Sequence, residues 1–486
     1  MKIYKLLLLT LLISGLLSSC SEDRDDIDEI PTGPNRNLTV ENFIWRGLNE
    51  IYLYKSDVPQ LADNFFATQA KKNDFLDNYA TPEDLFYDGL TAQQDDFSFI
   101  VADYVALENS FAGISKTTGM NYNLGRLRSG SDDLLGFVRY VLPGTSAEAE
   151  GIKRGDIFTK VNGTQLTISN YQELLASPTV TISLATLVEN TLTETGETKT
   201  LTNAQYNSNP VYISEVLEVE GSKVGYLMYN SFTRDYDSQL NDAFAKFRDA
   251  GITDLILDLR YNGGGDVRTA TDLASMITGQ FPGQIFMKEV WNEKYQAYFE
   301  STEERRESLL NRFGTTLRSG EPINSLSLNR VFVLTTNRSA SASELIINGL
   351  KPYIEVIQVG DRTTGKFTAS VTLYDSPNFG RNNANTTHKY ALQPLVLKSV
   401  NAHGVSDFVN GLTPDHFFEE NIRSLGVLGD VNEPLLKIAL DVLQGNKVSI
   451  QDTSDGFESI GESTMFNLDY QRMYIDKLPP VNFQDE

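Results

Sequence analysis

The chain has 486 residues, and its content of 40% hydrophobic and 10% aromatic side chains is typical of a globular protein rather than a disordered one. This length exceeds one ordinary hydrophobic core and predicts about two to four domains. The formal net charge of −24 at pH 7 excludes nucleic acid as a partner, because an acidic surface repels the phosphate backbone.

Residues 1–19 have the pattern of a bacterial signal peptide. Lys2 and Lys5 precede an apolar run, 6–17, that is too short to remain in a bilayer as a spanning helix. The sequence Leu-Ser-Ser-Cys that ends at Cys20 resembles the lipobox of bacterial lipoproteins, and Cys20 is the only cysteine. We therefore expect acyl chains on Cys20 to anchor the mature protein to the outer membrane. A plain secretory peptide with a chance cysteine is the alternative.

Residues 20–38 are predicted to form an acidic linker, because the run 21–29 is rich in Asp and Glu and Pro and Gly follow it. The run fits a solvated tether. It also resembles the acidic export tag that directs some Bacteroidetes lipoproteins to the outer face of the membrane. The sequence leaves open whether the protein is periplasmic or surface-exposed.

A helical region is predicted over residues 39–108. Apolar residues recur there at helical spacing, as at Phe43, Ile44, Leu48 and Ile51. The aromatic residues of this region are expected to lie in its core rather than to bind a ligand.

Residues 109–205 have the pattern of a small β-rich domain. Within it, residues 141–163 predict a strand, a turn at Pro143-Gly144, a short helix, a turn at Gly155-Asp156 and a second strand. This order resembles the central part of a PDZ domain. The resemblance implies that an extended peptide end adds as a strand to an open sheet edge.

The carboxylate-binding loop that this resemblance implies is expected upstream of that segment, at residues 119–125. Met120, Asn121 and Tyr122 are its candidate peptide-binding residues, since backbone N–H groups there could hold a carboxylate. The segment lacks the usual Gly-Leu-Gly-Phe type of sequence, and an ordinary β-turn is the alternative.

From residue 206 to 440, strand patterns alternate with helix patterns, which predicts an α/β domain. The predicted strands lie at 224–229, 255–259, 331–334 and 354–359. Residues 441–486 are polar with scattered aromatic residues, and no assignment is made for them.

Ser341 and Lys366 form the most informative pair in the chain. Ser341 follows a predicted strand and begins a helix, where the Ala342 N–H and the helix dipole favour developing negative charge. The chain has three histidines, so the usual base for a serine nucleophile is scarce. A buried lysine can act as that base if its pKa falls until the amine is neutral near pH 7. The pair suggests a serine hydrolase that works without histidine.

A second backbone donor for the reacting oxygen is expected from the glycine-rich turn at 262–265. Glycines let the backbone approach a reacting carbonyl without side-chain obstruction. The alternative is an ordinary tight turn.

The sequence around Lys366 argues against a nucleotide-binding P-loop, and the absence of metal-binding motifs argues against a metal site. Gly360 to Lys366 match a phosphate-binding P-loop, but Phe367 stands where Ser or Thr would hold magnesium. Residues 368–374 alternate like a strand, whereas a P-loop opens a helix. No HExxH and no paired cysteine motif is present, so we expect neither metal nor cofactor.

Several segments, taken in chain order, resemble the C-terminal processing peptidases, also called tail-specific proteases. The order of a helical region, a PDZ-like insert and an α/β core matches that family over most of residues 40–420. The segments that carry the resemblance are 225–232, 257–265, 341–344, 364–366 and 411–415.

The resemblance implies that Ser341 is the nucleophile and Lys366 the general base. It also implies that the backbone N–H groups of Ala342 and Gly264 form the oxyanion site. Its α/β core would be of the crotonase-like or Clp-protease-like kind, and the PDZ-like domain would bind the C-terminal end of a protein or peptide substrate.

The third catalytic member is left open by the resemblance. Glu344 matches a position proposed to orient the lysine, while Ser370 stands where many members place a glutamine that holds it. Phe367 replaces a usual glycine and Gly263 a usual proline. The predicted function is a lipid-anchored serine endopeptidase. The alternative, motivated by Ser370 and the atypical carboxylate loop, is an inactive surface protein that binds peptides.

Overall fold

A computed structural model describes residues 37–126, 130–188, 191–447 and 456–480. Cys20, the signal sequence at 1–19 and most of the linker at 20–38 lie outside these residues, so lipidation and anchoring stay predictions. Across the described ranges, no helix is both long enough and apolar enough to cross a bilayer.

The first described region is largely helical. Helix α1 is amphipathic, and its buried face includes Phe43, Ile44 and Leu48. Gly47 lies so close to Leu392 that a Cβ there would be 2.9 Å from its side chain, so the helix packs closely against the strand that carries Leu392. The elements are α1 (Thr39–Ile51), α2 (Gln69–Leu76), α3 (Pro82–Asp84), β1 (Phe99–Val101) and α4 (Tyr104–Phe111).

A β-rich domain follows, as the sequence predicts, and it has two short helices where the sequence predicted one. Phe158, Val161, Leu166 and Ile182 form part of its buried apolar core. The elements are β2 (Ile114–Thr117), β3 (Met120–Arg126), β4 (Leu135–Val141), α5 (Ser146–Ala149), β5 (Ile157–Val161), β6 (Thr164–Gln165), α6 (Tyr171–Leu175), β7 (Thr179–Val188), β8 (Thr191–Thr202) and β9 (Ala204–Asn207).

The remaining elements build an α/β core and a C-terminal segment. They are β10 (Val211–Val219), β11 (Ser222–Tyr229), α7 (Asp237–Ala250), β12 (Asp254–Asp258), β13 (Gly265–Asp266), α8 (Val267–Thr278), β14 (Ile285–Trp291), α9 (Glu293–Glu300), α10 (Glu303–Glu307), β15 (Leu310–Arg312), β16 (Arg330–Thr335), α11 (Ala342–Leu350), β17 (Glu355–Gly360), β18 (Thr368–Val371), β19 (Leu373–Tyr374), β20 (Ala391–Gln393), β21 (Leu395–Asn401), β22 (His416–Phe417), α12 (Pro434–Leu443), β23 (Glu458–Glu462) and β24 (Met473–Ile475).

The main core sheet has the order β10-β11-β12-β16-β17-β22, and its strands are parallel from β11 onward. All residues of β12 are buried, as expected for a parallel strand covered on both faces. Helix α12 covers one face through Leu435, Leu436 and Leu440. The turns after β12, β16 and β17 lead to Gly264, Ser341 and Lys366, so the parallel sheet delivers all three to one edge. The mixed α/β fold is thereby confirmed.

The C-terminal segment contacts both the β-rich domain and the core. Strand β23 adds to β3 at the edge of the β-rich sheet, and β24 joins a second core sheet of order β13-β24-β18-β21-β14-β15. In that sheet β24 lies between β13 and β18 and runs parallel to both. This path takes the segment directly past the ends of the strands that position Ser341 and Lys366.

Candidate active site

Ser341 is completely buried and has a strained backbone. It lies immediately before α11 with φ of 62°, a conformation that residues other than glycine rarely adopt. Its neighbours Ala340 and Ala342 are also fully buried, and their small side chains permit the tight turn between strand and helix. The turn directs the hydroxyl toward the C-terminal segment, where Ser341 Oγ donates to the Gln471 carbonyl oxygen at 3.3 Å.

Lys366 is buried beside Ser341. Burial, reinforced by the positive charge of Arg472, holds the pKa of Lys366 well below its ordinary value, although Asp95 and Glu344 oppose the shift. Its Nζ donates to the Gln471 carbonyl oxygen at 3.1 Å and lies 4.8 Å from the ring centroid of Phe97. A lysine in this environment loses its proton much more readily than one in water.

The structure therefore brings the two predicted site residues together. Ser341 Oγ and Lys366 Nζ share one acceptor, so their separation cannot exceed the sum of their distances to that oxygen. Among the described residues, the hydroxyl and the amine each bond to Gln471 rather than to each other. The carbonyl oxygen of Gln471 thus engages the hydroxyl and the amine at the same time.

Glu344 joins the two segments that carry the pair. Its Oε2 accepts from the backbone N–H groups of Ser341 and Lys366, both at 2.8 Å. Its Oε1 accepts from the Gly365 N–H at 2.7 Å and the Thr363 hydroxyl at 2.6 Å. Burial raises the pKa of Glu344 to about 7, against these four hydrogen bonds. Its carboxylate holds the lysine's backbone rather than its amine.

Gly264 packs directly against the Ser341 turn. Its φ is 111°, and a Cβ there would lie 2.5 Å from Ser341 Cβ and 3.0 Å from the Ala342 nitrogen. Only glycine permits this approach. The Gly264 N–H donates to Asn262 Oδ1 at 2.8 Å, while the Asn262 amide is itself anchored on the Tyr229 carbonyl. This N–H must turn away from Asn262 before it can bind a reacting oxygen.

The other predicted site residues lie near the site without contacting the pair. Ser370 Oγ donates to the Met473 carbonyl at 3.3 Å and makes no hydrogen bond to Lys366. Met120 and Tyr122 belong to the apolar core of the β-rich domain, and Asn121 accepts from Arg139 Nε at 2.6 Å. All three lie in strand β3 and line the cavity described below, so the segment predicted as a carboxylate-binding loop is a strand from Met120 onward.

Sequence reasoning missed a buried ion network beneath the glycine turn. Arg260 bonds to Asp258 and to both carboxylate oxygens of Glu433. Glu420 accepts from Arg260 at 3.0 Å and from Arg154 of the β-rich domain at 2.7 Å. The pKa of Glu420 is lowered to about 2, because these arginines outweigh its burial. Asp258 and Arg260 are two residues apart, but Arg154, Glu420 and Glu433 are far from them in the sequence, so no local pattern signals these longer-range pairs.

A cavity of about 640 Å³ is lined by the β-rich domain, the glycine turn and the C-terminal segment. Its wall includes Gly119 to Tyr122, Gly263 and Gly264, and, from the C-terminal segment, residues such as Ser463, Tyr470 and Gln471. Within the described ranges, no group of three or more His, Cys, Asp or Glu side chains is arranged to hold a metal ion.

Three stretches match known protein families. Residues 223–415 match "Peptidase family S41", residues 39–99 the "Peptidase S41 N-terminal domain" and residues 137–184 the "PDZ domain". The matches cover the core that holds Ser341 and Lys366, the helical region and the β-rich domain.

Relatives with similar sequences include bacterial proteases. The chain is 26% identical over 314 residues to a carboxyl-terminal-processing protease of Picosynechococcus, covering 64% of this chain and 67% of that protein. It is 26% identical over 231 residues to a probable CtpA-like serine protease of Staphylococcus aureus, covering 48% of this chain and 42% of that protein. The chain thus spans less than half the length of the staphylococcal relative.

The fold also resembles a solved structure. A putative S41 protease from Bacteroides fragilis superposes with a TM-score of 0.65 and 27% sequence identity. The match covers 83% of this chain and 97% of that one.

Proposed function

Because the chain belongs to peptidase family S41, we propose that it hydrolyses peptide bonds with Ser341 as nucleophile and Lys366 as general base. The observation that supports these roles is the meeting of the Ser341 hydroxyl and the buried Lys366 amine at one carbonyl oxygen. The low pKa of Lys366 favours the neutral amine that a general base requires.

In the proposed reaction, Lys366 Nζ accepts the hydroxyl proton while Ser341 Oγ attacks the substrate carbonyl carbon. The Ala342 N–H, and the Gly264 N–H once released from Asn262, stabilise the oxyanion. The protonated amine then gives its proton to the leaving nitrogen, and an acyl-enzyme remains. Lys366 next takes a proton from water, whose oxygen attacks the ester carbon. The bond from that carbon to Ser341 Oγ then breaks, and the protonated amine returns its proton to Oγ.

Glu344 has a positioning role in this proposal. Its four hydrogen bonds fix the backbone at Ser341 and Lys366 in one geometry, so both reacting groups depend on one carboxylate. Ser370 has no assigned step, since its hydroxyl is bonded to Met473.

The proposed substrates are proteins or peptides whose C-terminal end is captured by the PDZ domain. Its β3 edge faces the cavity that leads to Gly264, which supports delivery of a bound chain to Ser341. Hydrolysis of an unfolded protein with an apolar C-terminal tail tests the activity. Ser341→Ala should abolish both hydrolysis and covalent labelling by a fluorophosphonate, and undiminished labelling of that variant would refute the assignment.

We propose further that Cys20 is acylated and holds the enzyme in the cell envelope, at the outer membrane. The sequence around Cys20 supports this. Metabolic labelling with palmitate should mark the wild type and not Cys20→Ser, and equal labelling of both would exclude lipidation at this residue. The alternative of an inactive peptide-binding protein is disfavoured, because both members of the pair are present and adjacent.

A further inference from the structure

Residues 458–475, here called the C-terminal strap, occupy the edge of the PDZ domain where a peptide would add. Strand β23 pairs antiparallel with β3, from Glu458 opposite Arg126 to Glu462 opposite Asn123. Just beyond β23, the Tyr122 N–H donates to Ser463 Oγ at 3.1 Å. The strap therefore uses the backbone groups through which an added peptide strand would bind.

Side chains of the strap fill the same edge. Ile460 and Met465 pack against the apolar core of the PDZ domain. Glu462 forms a buried ion pair with Arg139 and a second one, at 3.2 Å, with Arg338. A substrate peptide cannot add to β3 over this length while these contacts persist.

The strap then enters the active site through its backbone. Gln471 has φ of 50°, and its carbonyl oxygen accepts from both Ser341 and Lys366. A Cβ on Gly264 would lie 2.7 Å from the Arg472 carbonyl oxygen, so the strap lies directly on the glycine turn. Beyond it, β24 separates β13 from β18. A peptide whose carbonyl carbon reached Ser341 Oγ would need this space.

The strap is held in a geometry that does not lead to cleavage. The Gln471 carbonyl oxygen accepts from the nucleophile's own hydroxyl, so that proton points at the carbonyl oxygen and not at Lys366. The Gly264 N–H stays on Asn262 and does not polarise the Gln471 carbonyl. The segment can thus occupy the site without becoming a substrate.

We propose that the C-terminal strap is an intramolecular inhibitor that closes the PDZ edge and the Ser341–Lys366 site together, and that a substrate with an extended C-terminal peptide must displace it. This regulation rests on the proposed peptidase function. Displacement at the PDZ edge would pull on the residues that lead to Gln471, so capture of a substrate end would also open the catalytic pair. The closed form protects envelope proteins from hydrolysis until a suitable tail arrives.

A matched pair of variants at Gln471 tests the closure of the site. Proline cannot adopt φ of 50°, whereas glycine adopts it readily, and both remove the same side chain. In the full chain, Gln471→Pro should be labelled by a fluorophosphonate about tenfold faster than wild type or more, given the cost of the strained backbone. Gln471→Gly should be labelled no faster than wild type. Equal labelling rates for the two variants would overturn the proposal.

A reversible disulfide between the strap and β3 tests whether the strap closes the PDZ edge, without the use of a proline variant. Arg126 and Glu458 are opposite partners on β3 and β23, and their side chains are partly exposed. Arg126→Cys with Glu458→Cys, in a Cys20→Ser background free of other thiols, should form a disulfide across the pair. The oxidised protein should hydrolyse a tailed substrate about tenfold more slowly than the reduced protein.

The single-cysteine variants are the controls for the disulfide, since oxidant should leave their activity unchanged. Equal hydrolysis by the oxidised and reduced double variant would overturn the proposal, because a tethered strap could then not be obstructing substrate. The absence of Ser341 labelling in wild type, in both Gln471 variants and in the reduced double variant would instead refute the peptidase function, and the inference with it.

Discussion

The contact between Gly264 and Ser341 permits a quantitative test of the site. In Gly264→Ala, the new Cβ would lie 2.5 Å from Ser341 Cβ, where carbon atoms normally stay about 3.5–4.0 Å apart. Relief requires a movement of roughly 1 Å, and a misplacement of that size costs about a hundredfold in rate. The φ of 111° adds strain of about 1–3 kcal/mol to the folded state.

The assay for this variant combines kcat/KM for a tailed peptide with the melting temperature. The control is Gly144→Ala, whose φ is 73° and whose Cβ would meet nothing within 4 Å, so it bears backbone strain without a clash. We expect the control to lose some stability and retain its activity, whereas Gly264→Ala loses activity about a hundredfold. Activity of Gly264→Ala within about fivefold of wild type would refute this reasoning, because it would mean that the turn is not held against the nucleophile.

Four further predictions concern buried charges. Lys366→Met should abolish hydrolysis yet raise the free energy of unfolding at neutral pH. The reason is that the lowered pKa of Lys366 makes the folded state bind the lysine proton less tightly than the unfolded chain does. Equal or lower stability of the variant in urea titrations would contradict this. For the same reason, wild-type activity should rise with pH through that lowered pKa, and a flat profile would argue against a lysine base. The pKa of Glu344 is raised from 4.5 to about 7, so its contribution to stability is full below pH 4.5 and is lost as the pH rises through about 7. Glu344→Gln should remove about 3 kcal/mol of this pH dependence of the free energy of unfolding. An unchanged pH profile of unfolding would contradict this. Glu462→Ala should lower the free energy of unfolding by about 3–5 kcal/mol, because it leaves Arg139 buried without its carboxylate partner. The double change Arg139→Met with Glu462→Met should lower it by less. Equal losses of stability in the two variants would show that the ion pair is not the cause.

The sequence was sufficient to predict the α/β core and the meeting of Ser341 with Lys366. Buried strands of a parallel sheet appear as short apolar runs, and the loops after such strands converge on one edge. The observed strands β11, β12, β16 and β17 begin and end within two residues of the predicted ones. Because Ser341 and Lys366 follow adjacent strands of that sheet, their proximity was open to sequence reasoning.

The C-terminal strap could not be predicted in the same way. Strand β23 is short and largely polar, and β24 has only three residues, too few to show an alternating pattern. The partners of both strands lie more than a hundred residues away, so no local pattern distinguishes either strand from a loop. The glutamate presented a different difficulty. The sequence left open whether Glu344, Ser370 or neither orients the lysine, and only coordinates could show that the Glu344 carboxylate binds four backbone and hydroxyl donors instead of the amine.

The link between Arg154 and Glu420 limits how freely the two modules could be exchanged in engineering. Arg154 lies in the PDZ domain and donates to the Tyr261 hydroxyl at 2.7 Å and to the Glu420 carboxylate. Tyr261 immediately precedes the glycine turn. A chimera that received a foreign PDZ module without an arginine at this position would leave Glu420 with one cationic partner fewer in a buried site. A functional graft would therefore have to transfer this guanidinium together with its new specificity.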